Sequence, residues 1–185
     1  PPPGPHFFRQ RDRAVHDQLR GIGPRDLTNG LALLPAASGL SDLQMQQVAR
    51  GLRRSVSAID FLATSPLTRA VETAEIVSAE YEAIAPVVVP ALAPGHSPAA
   101  VAQWLDAQRR HDVVAVVGHE PGLSRLVSWL LAGSERSFIE LKKGAVCRLA
   151  CSAAIAAGRA TLVWALTPSQ LRELVLLLRR QAGPF

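Results

Sequence analysis

The chain has 185 residues, of which 48% are apolar, and a formal net charge of +5. This length suits one domain with its own hydrophobic core, and the apolar content excludes a disordered chain. No apolar run reaches the ~20 residues of a membrane-spanning helix, so a membrane is not an expected partner. Cys147 and Cys151 have no metal-ligand spacing and fit a reducing compartment. We therefore expect a cytoplasmic protein that uses neither a metal nor a cofactor.

Residues 1 to 38 form an irregular segment, because prolines and glycines interrupt every helix or strand period there. The only strand predicted within this segment is the short stretch His6–Phe8. A cluster of arginines in the same segment is of the kind that meets nucleic acid, a membrane surface or an acidic protein. Aromatic residues are not interleaved with it as in single-strand binders, so a solvated face is the simpler interpretation and nucleic acid is not the expected partner. The cluster comprises Arg9, Arg11, Arg13, Arg20 and Arg25.

Residues 39 to 185 are predicted to form a single α/β domain, because strands and helices alternate along them. Val113–Val117 is apolar at every position, which is typical of a strand buried on both faces. The expected fold is a three-layer sandwich, with a mostly parallel sheet and helices on both faces. The predicted strands are Ile59–Ala63, Pro86–Val89, Val113–Val117, Ala145–Ala150 and Ala160–Leu166. The predicted helices start at Ser41, Pro66, Ser97, Pro121 and Pro168 and end near Arg54, Tyr81, Arg109, Leu131 and Arg180.

Two strand-to-helix corners carry residues suited to an anion. Ser65 is predicted to cap a helix whose first turn holds Arg69, and His119 stands between a strand and the helix that Pro121 opens. The carboxyl ends of adjacent parallel strands meet at one edge of a sheet. A guanidinium, an imidazole and two helix N-termini at that edge can bind phosphate. The simpler alternative is that Arg69 pairs with Glu72 and that His119 only satisfies its turn.

These corners resemble motifs of the histidine phosphatase superfamily. Thr64–Ala70 with Glu72–Ala74 resembles Ser-Pro-x-x-Arg-Ala-x-x-Thr-Ala, and Val117–Pro121 (Val-Gly-His-Glu-Pro) resembles the second histidine motif. The resemblance runs from about Leu40 to Leu174 in family order and implies a phosphoglycerate-mutase-like fold. Three further segments resemble the small SixA-type phosphohistidine phosphatases, namely Ala93–Gly95, Leu141–Ala145 and Trp164–Pro168.

The resemblance implies a hydrolase that uses a covalent phosphohistidine. A histidine in an Arg-His-Gly or Arg-His-Ala motif, at the end of the first strand, attacks phosphorus in this superfamily. The resemblance assigns catalysis to Arg69 and His119, and phosphate binding to Arg69, Ser65 and Arg11. It implies a phosphohistidine-containing signalling protein, or another phosphorylated ligand, as the partner in signal transduction. It leaves the oligomeric state undetermined.

The Arg-His-Gly motif itself is not recognisable in the sequence. If His6–Phe8 is the first strand, Arg9-Gln10 takes the place of Arg-His. If Arg25–Thr28 matches the family's Arg-Pro-Leu-Thr, Arg11-Asp12 takes that place instead. Leu40–Gln44 also resembles the family's Leu-Thr-x-x-Gly helix start. Neither register supplies a histidine nucleophile.

Three explanations of this departure remain open. The chain is an inactive relative that keeps its phosphate pocket, or His6 or His16 reaches the pocket, or the arginine-rich segment is not the first strand of the family. We predict a phosphohistidine phosphatase, with a pseudophosphatase that binds a phosphorylated ligand as the alternative. A third hypothesis is an electrostatic binder that uses the early arginines, whose affinity falls steeply with salt.

Overall fold

The computed structural model describes residues 30–151 and 154–181. In these residues one six-stranded sheet has the order β3-β2-β4-β1-β5-β6. The first four strands in that order are mutually parallel, and β5 and β6 are antiparallel to their neighbours. The strands are β1 Gly30–Pro35, β2 Phe61–Thr64, β3 Val87–Val88, β4 Val113–Gly118, β5 Val146–Cys151 and β6 Ala160–Leu166.

Helices cover both faces of this sheet and enclose two apolar clusters. Alternate strand residues face opposite sides, so Leu34 packs in one cluster and Leu33 in the other. Helices α1, α2 and α5 pack on the Leu34 face, whereas α3 and α4 pack on the Leu33 face. The predicted three-layer α/β sandwich is therefore confirmed. The helices are α1 Asp42–Ser55, α2 Thr68–Ala79, α3 Pro98–Asp106, α4 Gly122–Ala132 and α5 Pro168–Gln181.

The first described strand lies inside the segment that the sequence analysis treats as irregular. Gly30–Pro35 is buried at every position and pairs in parallel with β4 and antiparallel with β5. It has few β-branched residues and is bounded by glycine and proline, so its local signal is weak. Its central place in the sheet, rather than intrinsic propensity, favours the extended conformation. The predicted strand His6–Phe8 lies outside the described residues.

The predicted helix starts are confirmed at three caps and wrong at two corners. Ser41 forms a capping box with Gln44, Ser97 accepts a hydrogen bond from the N–H of Ala100, and Thr167 caps the helix that Pro168 begins. Ser65 is not a helix cap, because α2 begins only at Thr68. The helix after His119 begins at Gly122, which leaves Pro121 as its capping residue. Both corners thus contain an extra stretch of loop in which side chains can turn inward.

Among the described residues, no helix combines the length and the apolar character that crossing a membrane requires.

Candidate functional site

Three chain segments leave the sheet at the same level. β2 and β1 flank β4, and the register pairs Thr64 with Val117 and Pro35 with Gly118. The N–H of Ser65 donates to the carbonyl of Val117 at 2.9 Å, and the N–H of Ala36 donates to the carbonyl of Gly118 at 2.8 Å. The residues that come after β1, β2 and β4 therefore gather at one edge of the sheet.

The side chains of Arg69, His119 and Ser65 form one hydrogen-bonded row at this edge. Arg69 Nε lies 3.1 Å from His119 Nδ1, and His119 Nε2 lies 2.8 Å from Ser65 Oγ. Because a guanidinium can only donate, Nδ1 of His119 accepts and its proton resides on Nε2. His119 therefore donates to Ser65, which also accepts weakly from the N–H of Leu67 at 3.4 Å.

The surroundings of His119 favour its neutral form. The residue is 6% exposed, and burial lowers its pKa below the ordinary value, with a further lowering by the positive charge of Arg69. A neutral imidazole protonated on Nε2 is a hydrogen-bond donor that faces Ser65. The hydrogen bonds found among the described residues use only the Nε–H of Arg69, which leaves its two terminal amino groups for an anion.

The structure does not support the simpler alternatives, in which Arg69 pairs with Glu72 and His119 only satisfies its turn. Arg69 is bonded to His119, and the ion pairs of the described residues do not include an Arg69–Glu72 pair. The side chain of His119 contacts Ser65 in the loop after β2 and Arg69 in α2, which are 54 and 50 residues away in the chain. The structure therefore brings together three of the four predicted site residues; the fourth, Arg11, lies outside the described part.

The end of β1 reaches this edge from a segment that the sequence analysis treats as irregular. β1 precedes the helix that Ser41 caps, and Pro35-Ala36-Ala37 lies at its carboxyl end. The registers at Arg9-Gln10 and Arg11-Asp12 lie outside the described residues. Ala36 is 5% exposed, and its methyl side chain has no group that can attack phosphorus, donate or accept.

Thr73 fixes this segment to α2. Its hydroxyl donates to the carbonyl of Arg69 at 2.7 Å and accepts the N–H of Ala37 at 3.1 Å. One buried hydroxyl thus links Arg69 of α2 to the chain that comes after β1. The motif string contains Thr73, but only the three-dimensional structure gives it this contact.

Glu120 closes the other side of the corner. Both of its carboxylate oxygens accept from Ser124, one from the backbone N–H and one from the hydroxyl, so the carboxylate serves the first turn of α4. Burial raises the pKa of Glu120, while the bonds from Ser124 lower it and the charge of Glu140 raises it. Next to this corner, a cavity of about 100 Å³ is lined by His119, His96 and Arg125.

No set of three His, Cys, Asp or Glu side chains in the described ranges could hold a metal ion. The row at the strand ends instead presents donors, among them the guanidinium of Arg69, an arrangement that suits an anion.

Comparisons with known proteins agree with this architecture. No protein-family model matches the chain. An uncharacterized protein of Picosynechococcus sp. (strain PCC 7002) is 33% identical over 151 residues, which cover 80% of this chain and 86% of the relative. This identity and coverage indicate common family membership.

Solved structures give the fold. The protein histidine phosphatase SixA complexed with tungstate matches 77% of this chain and 99% of its own, with a TM-score of 0.66 and 19% identity. The alpha-ribazole phosphatase of Shigella flexneri matches 75% and 96%, with a TM-score of 0.60 and 16% identity. The phosphoglycerate mutase of Plasmodium falciparum matches 72% and 87%, with a TM-score of 0.54 and 13% identity. The chain therefore belongs to the same family as the Picosynechococcus protein, and it has the fold of the histidine phosphatase superfamily.

Proposed function

We propose that this protein binds a phosphoryl group at the ends of β1, β2 and β4 without transferring it to a histidine after β1. The observation that carries the proposal is the contrast between the two halves of the site. Ser65, Arg69 and His119 are assembled by hydrogen bonds, whereas Ala36, after the strand that precedes the Ser41-capped helix, stands where we place the nucleophile of the superfamily. An alanine side chain has no lone pair with which to attack phosphorus.

The polarity of the hydrogen-bonded row supports binding rather than activation of another nucleophile. A general base for Ser65 would need a free lone pair on Nε2 of His119. Arg69 occupies Nδ1 as a donor, so Nε2 carries the proton and donates to Ser65. The row therefore presents donors, which suit the oxygens of a bound phosphoryl group.

The ligand that we propose is a phosphorylated protein, with phosphohistidine as the first candidate. This choice rests on the resemblance to SixA-type enzymes and on the fold shared with the histidine phosphatase SixA. A role in signal transduction is part of the same proposal.

A second candidate function is hydrolysis of phosphohistidine, which the assembled Arg69–His119 pair favours. It requires a nucleophile from elsewhere in the chain, and His6, His16 and Asp12 are the groups to test first. These three residues lie outside the described part of the structure.

The two functions are separated by measuring binding and turnover on the same preparations. We expect inorganic phosphate and vanadate to bind the wild-type protein, as detected by calorimetry, while p-nitrophenyl phosphate and a phosphohistidine-bearing protein are not hydrolysed. The Arg69→Ala variant should bind phosphate at least about tenfold more weakly, because charged hydrogen bonds contribute about 1.5–3 kcal/mol. The matched control is Arg54→Ala, which removes an exposed guanidinium from the far end of α1.

Turnover that disappears with Arg69 would establish the hydrolase instead. In that case, variants of His6, His16 and Asp12 identify the nucleophile. Failure of phosphate to bind at all would contradict both functions.

A further inference from the structure

A groove of about 820 Å³ opens beside the phosphoryl site and shares Glu120 and Pro121 with the corner that holds His119. We call it the lysine groove. One wall is the turn with Lys142 and Lys143, and the opposite wall is the first turn of α5 with Ser169 and Arg172. Leu40 and Leu141 supply apolar surface between these walls. The groove is thus an extension of the phosphoryl site.

The two lysines are held in place by the end of β1. The N–H of Gly144 donates to the carbonyl of Pro35 at 3.2 Å, and the N–H of Ala145 donates to the carbonyl of Lys142 at 2.8 Å. Gly144 has a φ of 72°, and a β-carbon there would lie 2.6 Å from the side chain of Leu40. The turn therefore needs glycine, and its hydrogen bond to Pro35 ties the loop that carries both lysines to the end of β1.

The charges of the groove are unequal. Lys142 and Lys143 are exposed and make no ion pair with the described residues. The Nε of Arg172 is buried without a hydrogen-bond partner there. Two carboxylates, those of Glu120 and the exposed Glu140, oppose these three cations, so the groove carries one excess positive charge.

The positive end of α5 adds to this excess. Pro168 begins the helix, and the dipole of its 14 residues points its positive end at the groove. A single phosphoryl group bound at Arg69 would make no contact with Lys142, Lys143 or Arg172. A ligand that extends from the phosphoryl site into the groove would meet three positive side chains and an apolar floor.

We infer that the lysine groove receives an acidic segment of the protein whose phosphoryl group occupies the Arg69–His119 site. This inference rests on the proposed function and adds a recognition rule to it. The carboxylates of that segment pair with Lys142, Lys143 and Arg172, and its apolar side chains lie against Leu40 and Leu141. The groove then selects among phosphorylated proteins by the residues that flank the phosphoryl group.

The test uses two synthetic peptides that carry a stable phosphohistidine analogue. In one the analogue is flanked by glutamates, and in the other by glutamines. The Lys142→Glu/Lys143→Glu variant is compared with Arg54→Glu/Arg159→Glu, which makes the same change of charge at exposed positions on other parts of the surface. Affinities for both peptides and for inorganic phosphate are measured by calorimetry at low and at physiological salt.

We expect the wild-type protein to bind the glutamate peptide about three- to tenfold more tightly than the glutamine peptide, because exposed ion pairs contribute modestly. This preference should vanish in Lys142→Glu/Lys143→Glu, persist in the control and decrease with salt. The affinity for inorganic phosphate should change little in either variant. A preference that survives the lysine substitutions, or equal binding of both peptides by the wild-type protein, would overturn the inference.

The possible outcomes distinguish failure of this inference from failure of the proposed function. Binding of phosphate and of both peptides without a preference overturns the inference alone, whereas absence of all phosphoryl binding overturns both. Acylation gives a second readout, because Lys142 and Lys143 are the only lysines in the chain. The glutamate peptide should slow their modification by an amine-reactive ester, and an unchanged rate of modification would count against the inference.

Discussion

The hydrogen bond from Arg69 to His119 determines what the imidazole can do. Arginine remains a donor at every accessible pH, so it holds the proton of His119 on Nε2. In a nucleophile–base pair the second nitrogen instead accepts from the nucleophile. A histidine beside a serine therefore favours an anion-binding site here rather than a nucleophile–base pair. The direction of the hydrogen bond between them makes the difference.

Stability should fall when the pH is lowered through the range in which unfolded histidine titrates. Folding lowers the pKa of His119, so the unfolded chain binds more protons between the folded pKa and about 6.5. The contribution of His119 is present above 6.5 and is lost as the pH falls through the folded pKa. Urea unfolding at pH 7.5 and at pH 5.0 should show that the free energy of unfolding decreases more for the wild type than for His119→Gln.

The comparison with His119→Gln removes the contributions of other groups. Glu120 acts in the opposite sense, because its raised pKa stabilises the folded state at low pH, but it is present in both proteins. An equal loss of stability in both proteins would mean that His119 is not responsible.

Thr73 provides a second test at the scale of single residues. Replacing it with valine keeps the shape but leaves the N–H of Ala37 without its acceptor, which should cost about 1–3 kcal/mol of unfolding free energy. Thr73→Ser retains the hydroxyl and should recover most of that loss in urea titrations. A valine variant as stable as the wild type would contradict this role of the hydrogen bond, and equal losses in both variants would mean that the methyl group contributes as much as the hydroxyl.

At the scale of elements, caps and hydrophobic patterns predicted most of the fold, whereas β1 was missed. Ser41 and Ser97 act through local hydrogen bonds that the sequence displays directly. Gly30–Pro35 is extended because β4 and β5 pair with it, and such contacts are between residues distant in sequence. Because this strand was missed, its carboxyl end at Pro35 was not considered for the nucleophile motif, and the two registers considered instead, at residues 9–10 and 11–12, lie outside the described residues.

The packing of α1 against α5 depends on Gly51. A β-carbon at this position would overlap the backbone carbonyl of Leu171, which cannot move away as a side chain would. We expect Gly51→Ala to reduce the unfolding free energy by about 1–3 kcal/mol through overpacking, despite the better helix propensity of alanine. The measurement is again urea unfolding.

Gly122→Ala is the matched control for Gly51→Ala. It also lies in a helix, but no atom lies within 4 Å of its added methyl group. It should be neutral or stabilise the protein by up to about 1 kcal/mol. Equal effects of the two substitutions would show that helix propensity, not the contact with Leu171, determines them.

At the scale of the whole molecule, the fold does not require a nucleophilic side chain after β1. The sheet, the two corners and the Arg69–His119 pair are all present, because buried apolar residues and long-range hydrogen bonds maintain them. Pro35 and Ala36 are buried at the end of β1 and fit this framework with apolar side chains. Motif residues predicted the corners after β2 and β4, while the structure was needed to find that β1 ends beside them.

Restoring the motif should therefore restore the covalent step. We expect Pro35→Arg/Ala36→His to form an acid-labile phosphoenzyme with phosphoramidate, because the new imidazole would stand at the strand end beside Arg69 and His119. Pro35→Arg/Ala37→His, with the histidine one position further along, is the control and should not be phosphorylated. Adding Arg69→Ala to the restored variant should abolish labelling, while thermal unfolding confirms that each variant is folded. Labelling of the wild-type protein, or none in a folded Pro35→Arg/Ala36→His variant, would contradict the assignment of Ala36 to the nucleophile position.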